Sequence, residues 1–168
     1  MERIFFTPAV AADAAAVTAV VAALESSLYG PSVAFSQADL QDEWSDLDLE
    51  RDTRVVRDGN RIVGYGAVRE QGERWRVEGY VHPDACGRGL GRLIATGLEQ
   101  DAARGGARRI QNGVFEADSA ACRLLESLGY TAVRVFREMR IELDAPPPPP
   151  AWPDGLRVVP FDPERDAR

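Results

Sequence analysis

The stretch "YVHPDACGRGLGRLIATGLEQDA", Tyr80 to Ala102, limits the possible folds more than any other part of the chain. It reads as the end of a strand, a loop with glycine at 87, 89 and 91, and a helix whose Leu90, Leu93, Ile94 and Leu98 share one stripe. A strand that passes through glycines into a helix start is how backbone N–H groups and the positive helix end grip a phosphate or pyrophosphate, since a side chain there would block the approach. A plain tight turn before a helix gives the same pattern, so the flanking elements must decide.

Two common phosphate loops do not fit. A P-loop needs Gly-Lys-Ser/Thr, and all 20 basic residues of this chain are arginine. A dinucleotide fingerprint needs a third glycine where Arg92 stands, and it opens a βαβ unit. The strands before this loop are antiparallel instead. In "RDTRVVRDGNRIVGYGAVRE", two strand-like runs flank Asp58-Gly59-Asn60 and make a hairpin, and "RWRVEGYVH" follows Gln71-Gly72 as a third strand.

Upstream, "RIFFT" (Arg3 to Thr7) predicts a strand, and Ala11 to Leu24 predicts a helix with Asp13 in its first turn. "SQADLQDEWSDL" predicts a second helix, capped by Ser36, with Leu40, Trp44 and Leu47 at helical spacing. Downstream, "RRIQNGV" is the next strand. "DSAACRLLESLGY" is a helix with Asp118 as N-cap, a stripe of Ala121, Leu124, Leu125 and Leu128, and Gly129 closing it. The alternation in "TAVRVFREMRIEL" predicts one or two final strands.

The length of 168 residues suits one domain with a sizeable core. A net charge of −7 argues against nucleic-acid and membrane-surface partners and is compatible with a cationic one. Asp39, Asp42, Glu43, Asp46 and Asp48 form either a solvated face or an acidic pocket wall. The two cysteines and one histidine have no CxxC or HxxxH spacing, so no metal site is expected. The N-terminus lacks a basic region followed by an apolar core, and no charge-free apolar run reaches membrane-spanning length, which predicts a soluble cytoplasmic protein.

Pro146 to Pro150 favour stiff polyproline II and act as a spacer. Beyond them, Arg157-Val158-Val159 followed by Asp166-Ala167 repeats the spacing of Arg3-Ile4-Phe5 and Asp13-Ala14. Residues 152–168 are therefore read as the first strand of a second, similar domain, or else as a C-terminal tail.

The strand ending in "VHP", the Gly-x-Gly-x-Gly loop and the helix that follows resemble the signature of the GNAT superfamily of N-acetyltransferases, and the order of elements agrees. The resemblance implies an α+β, three-layer acyl-CoA N-acyltransferase fold over residues 1–144, with a mixed, mostly antiparallel sheet flanked by helices; residues 145–151 would be a linker. It also implies that acetyl-CoA is the acyl donor. Its pyrophosphate would lie on backbone N–H groups of the loop from Cys86 through Gly87, Arg88, Gly89, Leu90 and Gly91 to Arg92. Its pantetheine would lie along Gly79, Tyr80 and Val81, where two strands splay. Asp118 stands where the family often places a cofactor-contacting asparagine, and Ser119 and Arg123 could reach from the same side. An ordinary N-cap and a solvated arginine are the competing readings.

The catalytic parts implied by the resemblance are unevenly present. Leu125 stands where many members carry an acid tyrosine, and Cys86 where they prefer glutamine or arginine. The glutamate that often serves as base in the fourth strand is replaced by Trp75. That leaves Glu73, two residues away, and Glu78, on the opposite strand face unless a bulge intervenes, as candidate bases. Tyr130 is the candidate acid, or else a packing aromatic. Two functions follow: acetyl transfer to a primary amine of a small molecule or peptide, or a degenerate acyl-CoA-binding or scaffolding half of a tandem acetyltransferase. A homodimer or a covalently linked second domain would be the partner.

Overall fold

A computed structural model describes residues 4–30, 35–72, 74–137, 139 and 141–167 of the chain. Compactness divides it into two units, Met1–Thr131 and Ala132–Arg168.

In the first unit, β1 (Ile4–Thr7) leads through a 3₁₀ turn into α1 (Ala14–Tyr29), followed by α2 (Gln37–Ser45) and α3 (Leu49–Asp52). Asp13 closes the 3₁₀ turn by accepting from the Val10 N–H at 3.0 Å, and its carboxylate meets Arg57 at 2.7 Å. Ser36 and Asp39 cap α2 reciprocally: the Asp39 N–H donates to Ser36 Oγ at 3.2 Å, and the Ser36 N–H donates to the Asp39 carboxylate at 2.8 Å. By length and composition Ala11–Tyr29 could cross a membrane. Here Val17, Val20, Val21 and Leu24 of that stretch are buried.

A meander of β2 (Thr53–Asp58), β3 (Arg61–Gln71) and β4 (Arg74–Val81) follows, then α4 (Leu90–Arg104), β5 (Ile110–Asn112) and α5 (Ser119–Ser127). The sheet order is β1-β2-β3-β4-β5. Pairing is antiparallel from β1 to β4 and parallel between β4 and β5. This is the expected mixed, mostly antiparallel sheet.

Strand alternation builds two cores. Val17, Val20, Leu40, Trp44, Val55 and Tyr65 form the core under α1 and α2. Val56, Val68, Trp75, Val77, Ile94 and Leu98 form the core under α4. A bulge at Val63 in β3, where Val56 pairs Gly64 but Arg57 pairs Ile62, puts Ile62 and Tyr65 on the same α1/α2 side. The β3–β4 register runs unbroken from Gly64 opposite Val81 to Gln71 opposite Arg74, so no bulge moves Glu78 from the face opposite Trp75.

Gly66 is needed because α4 lies so close: a Cβ there would fall 2.6 Å from Ile94 Cγ2 and Leu98 Cδ1. Gly66→Ala should therefore cost about 1–3 kcal/mol through overpacking. Urea unfolding checks this, with a lower midpoint and unchanged slope as the expected result.

In the second unit, the expected closing strands do not form among the described residues: residues 132–137, 139 and 141–143 carry no strand. Val133, Val135, Phe136, Met139 and Ile141 are 65–92% exposed. Alternation supplies a face, but a strand also needs a backbone partner, and among the described residues these have none in register. The described element after the prolines is a four-residue helix, α6 (Pro163–Asp166), and Arg157–Val159 form no strand.

Candidate functional site

β4 ends at Val81, and a 3₁₀ turn over Pro83–Ala85 follows, capped by His82 Nδ1, which accepts from the Asp84 N–H at 3.2 Å. Two glycines then turn the chain left-handed, Gly87 at φ 75° and Gly89 at φ 81°. Gly89 is the N-cap of α4 and offers no side chain to it. The first-turn N–H groups of Leu90, Gly91 and Arg92 therefore have no intrahelical acceptor, and they lie at the positive end of the helix.

The loop side chains are largely occupied. Arg88 reaches Asp58 at 2.6 Å, tying the loop to the end of β2. Arg92 donates to Ser127 Oγ at 2.8 Å, and Leu90 is buried in the core. The loop thus offers an anion its backbone. The Cys86 thiol is pushed up by partial desolvation and by the charge of Asp118, which brings the start of α5 within electrostatic reach of the loop. Asp118 itself caps α5, accepting from the Ala121 N–H at 2.9 Å, while Ser119 and Arg123 are exposed on that helix.

Beside the loop the sheet opens. Only Trp75 to Val77 pair with Ile110 to Asn112, and the last bond runs from the Gly113 N–H to the Val77 carbonyl at 3.4 Å. The Trp75 N–H bonds the Arg109 carbonyl at 3.0 Å, so odd-numbered residues of β4 address β5. By the same alternation, the backbone groups of Gly79 and Val81 face the gap where β5 has diverged.

The even-numbered side chains of β4 point to the α1/α2 side and build a charged cleft with Glu43, Ala67, Arg69 and Gln71. Arg76 Nε meets Glu78 at 2.6 Å, and Arg69 meets Glu43 at 3.7 Å. The Tyr80 hydroxyl donates weakly to Glu78 at 3.4 Å, and its ring stacks on Tyr65 with centroids 6.3 Å apart. Tyr65 in turn accepts from Trp44 Nε1 at 2.8 Å, which locks the aromatic row. Burial pushes the Tyr65 phenol up to about 12. Burial, then the Glu78 charge, also pushes Tyr80 well above the ordinary phenol range, so both stay protonated. Glu43 is raised by desolvation and by Glu78.

The candidate catalytic residues do not converge. Glu78 faces the cleft, whereas Tyr130 lies near Glu99 of α4 and Asn112 of β5, on the α4 side of the sheet; burial and Glu99 raise its phenol. Glu73 lies outside the described residues. Of the five acids read as a possible wall, Glu43 alone lines the cleft. Asp39 is used in the α2 cap, and Asp48 accepts from the N–H groups of Glu50 and Arg51. The contributions of Arg69, Arg76 and the Tyr80 hydroxyl were missed. The alternation Arg76-x-Glu78-x-Tyr80 is the signal that could have found the latter two on one face.

Residues 19–130 match the acetyltransferase (GNAT) family. The chain belongs to this family. Mycothiol acetyltransferase of Thermobispora bispora is 38% identical over 113 residues, covering 67% of this chain and 36% of that protein. The L-methionine sulfoximine/L-methionine sulfone acetyltransferase of Salmonella typhimurium is 30% identical over 120 residues, covering 59% of this chain and 70% of that one. A GCN5-related N-acetyltransferase from Sphaerobacter thermophilus superposes with a TM-score of 0.76 at 28% identity, over 98% of this chain and 56% of its own. The Salmonella typhimurium protein yncA, solved with acetyl-CoA, shares the fold at a TM-score of 0.65 and 24% identity, over 78% and 81% of the two chains. This GNAT chain thus spans about a third of the mycothiol acetyltransferase and just over half of the Sphaerobacter protein. The α+β GNAT fold expected for it is the one observed, with the glycine loop and the β4–β5 divergence side by side.

Proposed function

We propose that this domain is an N-acetyltransferase that takes its acetyl group from acetyl-CoA and delivers it to a primary amine of a small molecule or peptide. The observation that carries this reading is the adjacency of an uncapped helix start, with left-handed glycines before it, to a strand edge left open by the β4–β5 divergence. One donates N–H groups to a pyrophosphate; the other offers the backbone of Gly79 and Val81 to an amide-bearing arm, as an added strand would use it.

The bound donor supplies a thioester carbonyl that the amine nitrogen attacks, forming the C–N bond as the C–S bond breaks. Glu78 accepts the proton that the ammonium must lose, directly or through a water. Tyr80, kept protonated, is the nearby group that could give a proton to the departing thiolate, in place of the family tyrosine whose position Leu125 occupies. Tyr65 and Trp44 hold the Tyr80 ring.

Calorimetric titration with acetyl-CoA, followed by thiol release in the presence of small amines, tests the reading. Saturable binding and amine-dependent release are expected; no binding would overturn it. Binding without release from any amine would instead favour the degenerate reading, for which Leu125 and Cys86 speak. The alignment of nearly the whole chain within a longer Sphaerobacter protein supports a tandem arrangement, with the prolines as the spacer.

A further inference from the structure

Acidic side chains alone would draw a polycation, but this cleft carries both signs. Glu43 of α2 and Glu78 of β4 face each other closely enough for the Glu78 charge to raise Glu43, while Arg69 of β3 and Arg76 of β4 each pair with one of them. All four side chains remain 28–54% exposed, so a ligand can reach them. We infer that the acceptor is a small zwitterion, an amine bearing a carboxylate a few bonds from its nitrogen, with its ammonium toward Glu78 and Glu43 and its carboxylate toward Arg69 and Arg76. This rests on the acetyltransferase reading and narrows its substrate class.

Charge matching is the reason. A zwitterion that enters between the two ion pairs gives every carboxylate a cation and every guanidinium an anion, so no charge is left desolvated and alone. A polyamine would satisfy Glu43 and Glu78 but set its second charge against two guanidiniums. An uncharged aliphatic tail would find Ala67 as the apolar lining residue. Both are disfavoured by repulsion or mismatch rather than by lack of attraction. Glu78 has two tasks here, orienting the ammonium and then taking its proton, and Arg76 holds it in place at 2.6 Å.

The test uses the whole chain with acetyl-CoA. The acceptors are the common L-amino acids and L-methionine sulfone, each beside its carboxamide and its decarboxylated amine, together with spermine. Ligand-observed NMR reads binding in the presence of CoA, and thiol release reads transfer. The expected result is at least one amino acid that binds about tenfold or more tightly than its amide and its amine, since a charge-assisted contact is lost with the carboxylate. In Arg69→Ala that ratio falls toward one, chiefly through lost affinity for the amino acid, and Arg69→Lys recovers part of it. The inference is overturned if amides, amines or spermine bind as well as the acids, if no amino acid binds, or if Arg69→Ala leaves the ratio intact. Selective binding of an amino acid with no transfer to any acceptor would instead sink the acetyltransferase reading and leave the zwitterion pocket standing.

Discussion

Gly89→Glu is expected to abolish measurable acetyl-CoA binding while leaving the protein folded. Gly89 sits at φ 81° as the N-cap of α4, with nothing outside its own helix and chain neighbours within 4 Å of where a Cβ would be, so the new side chain is tolerated sterically and costs about 1–2 kcal/mol of backbone strain. Its carboxylate would meet the N–H groups of the first helical turn, the donors proposed for the pyrophosphate, and repel that anion from the same place. Losing two charge-assisted bonds of about 1.5–3 kcal/mol each weakens binding by at least about 100-fold. Gly89→Ala separates the causes, because it carries the strain without the charge. Its melting temperature should fall as far as that of the glutamate variant, and its affinity should fall much less. Equal affinities in the two variants would show that the loop is a structural turn.

Glu78→Gln is expected to lower kcat/KM by about 10²–10⁴-fold and to leave the acetyl-CoA dissociation constant unchanged. Glutamine keeps the volume of the side chain and can still meet Arg76, so the cleft retains its shape, but it cannot take a proton. The cofactor contacts proposed above lie at the backbone of Gly79 and Val81 and in the glycine loop, and Glu78 directs its side chain to the α1/α2 side of the sheet. Unchanged turnover in this variant would remove Glu78 from the mechanism and turn attention to Glu73.

Local rules gave most of the framework. The capping pair Ser36 and Asp39, the Gly59 turn, the Asp118 cap and the Leu90-Ile94-Leu98 stripe are short-range features whose energetics are complete within a few residues, and each appears where the spacing placed it. The cleft was harder to read, because it depends on which residues of three separate elements meet. Glu43, Arg69 and Arg76 are unremarkable charges along the chain, and only the β3–β4 register and the docking of α2 bring them together. The acidic run from Asp39 to Asp48 takes the solvated-face reading at four of its five positions: only Glu43 turns to the cleft, the others are exposed, and two of the five acids are engaged in caps. The described residues between 131 and 143 show the opposite failure, an alternation sufficient for a strand face but silent about the partner a strand requires.

One molecule of acetyl-CoA is proposed to lie along the open edge of β4 and in the cradle at the start of α4. Amide chemical shifts of the ¹⁵N-labelled chain, followed as acetyl-CoA is added, test it most directly. Saturable shifts are expected at Gly79, Val81 and the amides from Gly87 to Arg92, with those of β1 unmoved. Saturation of the donor with those amides unshifted, or with shifts confined to other parts of the sheet, would contradict it.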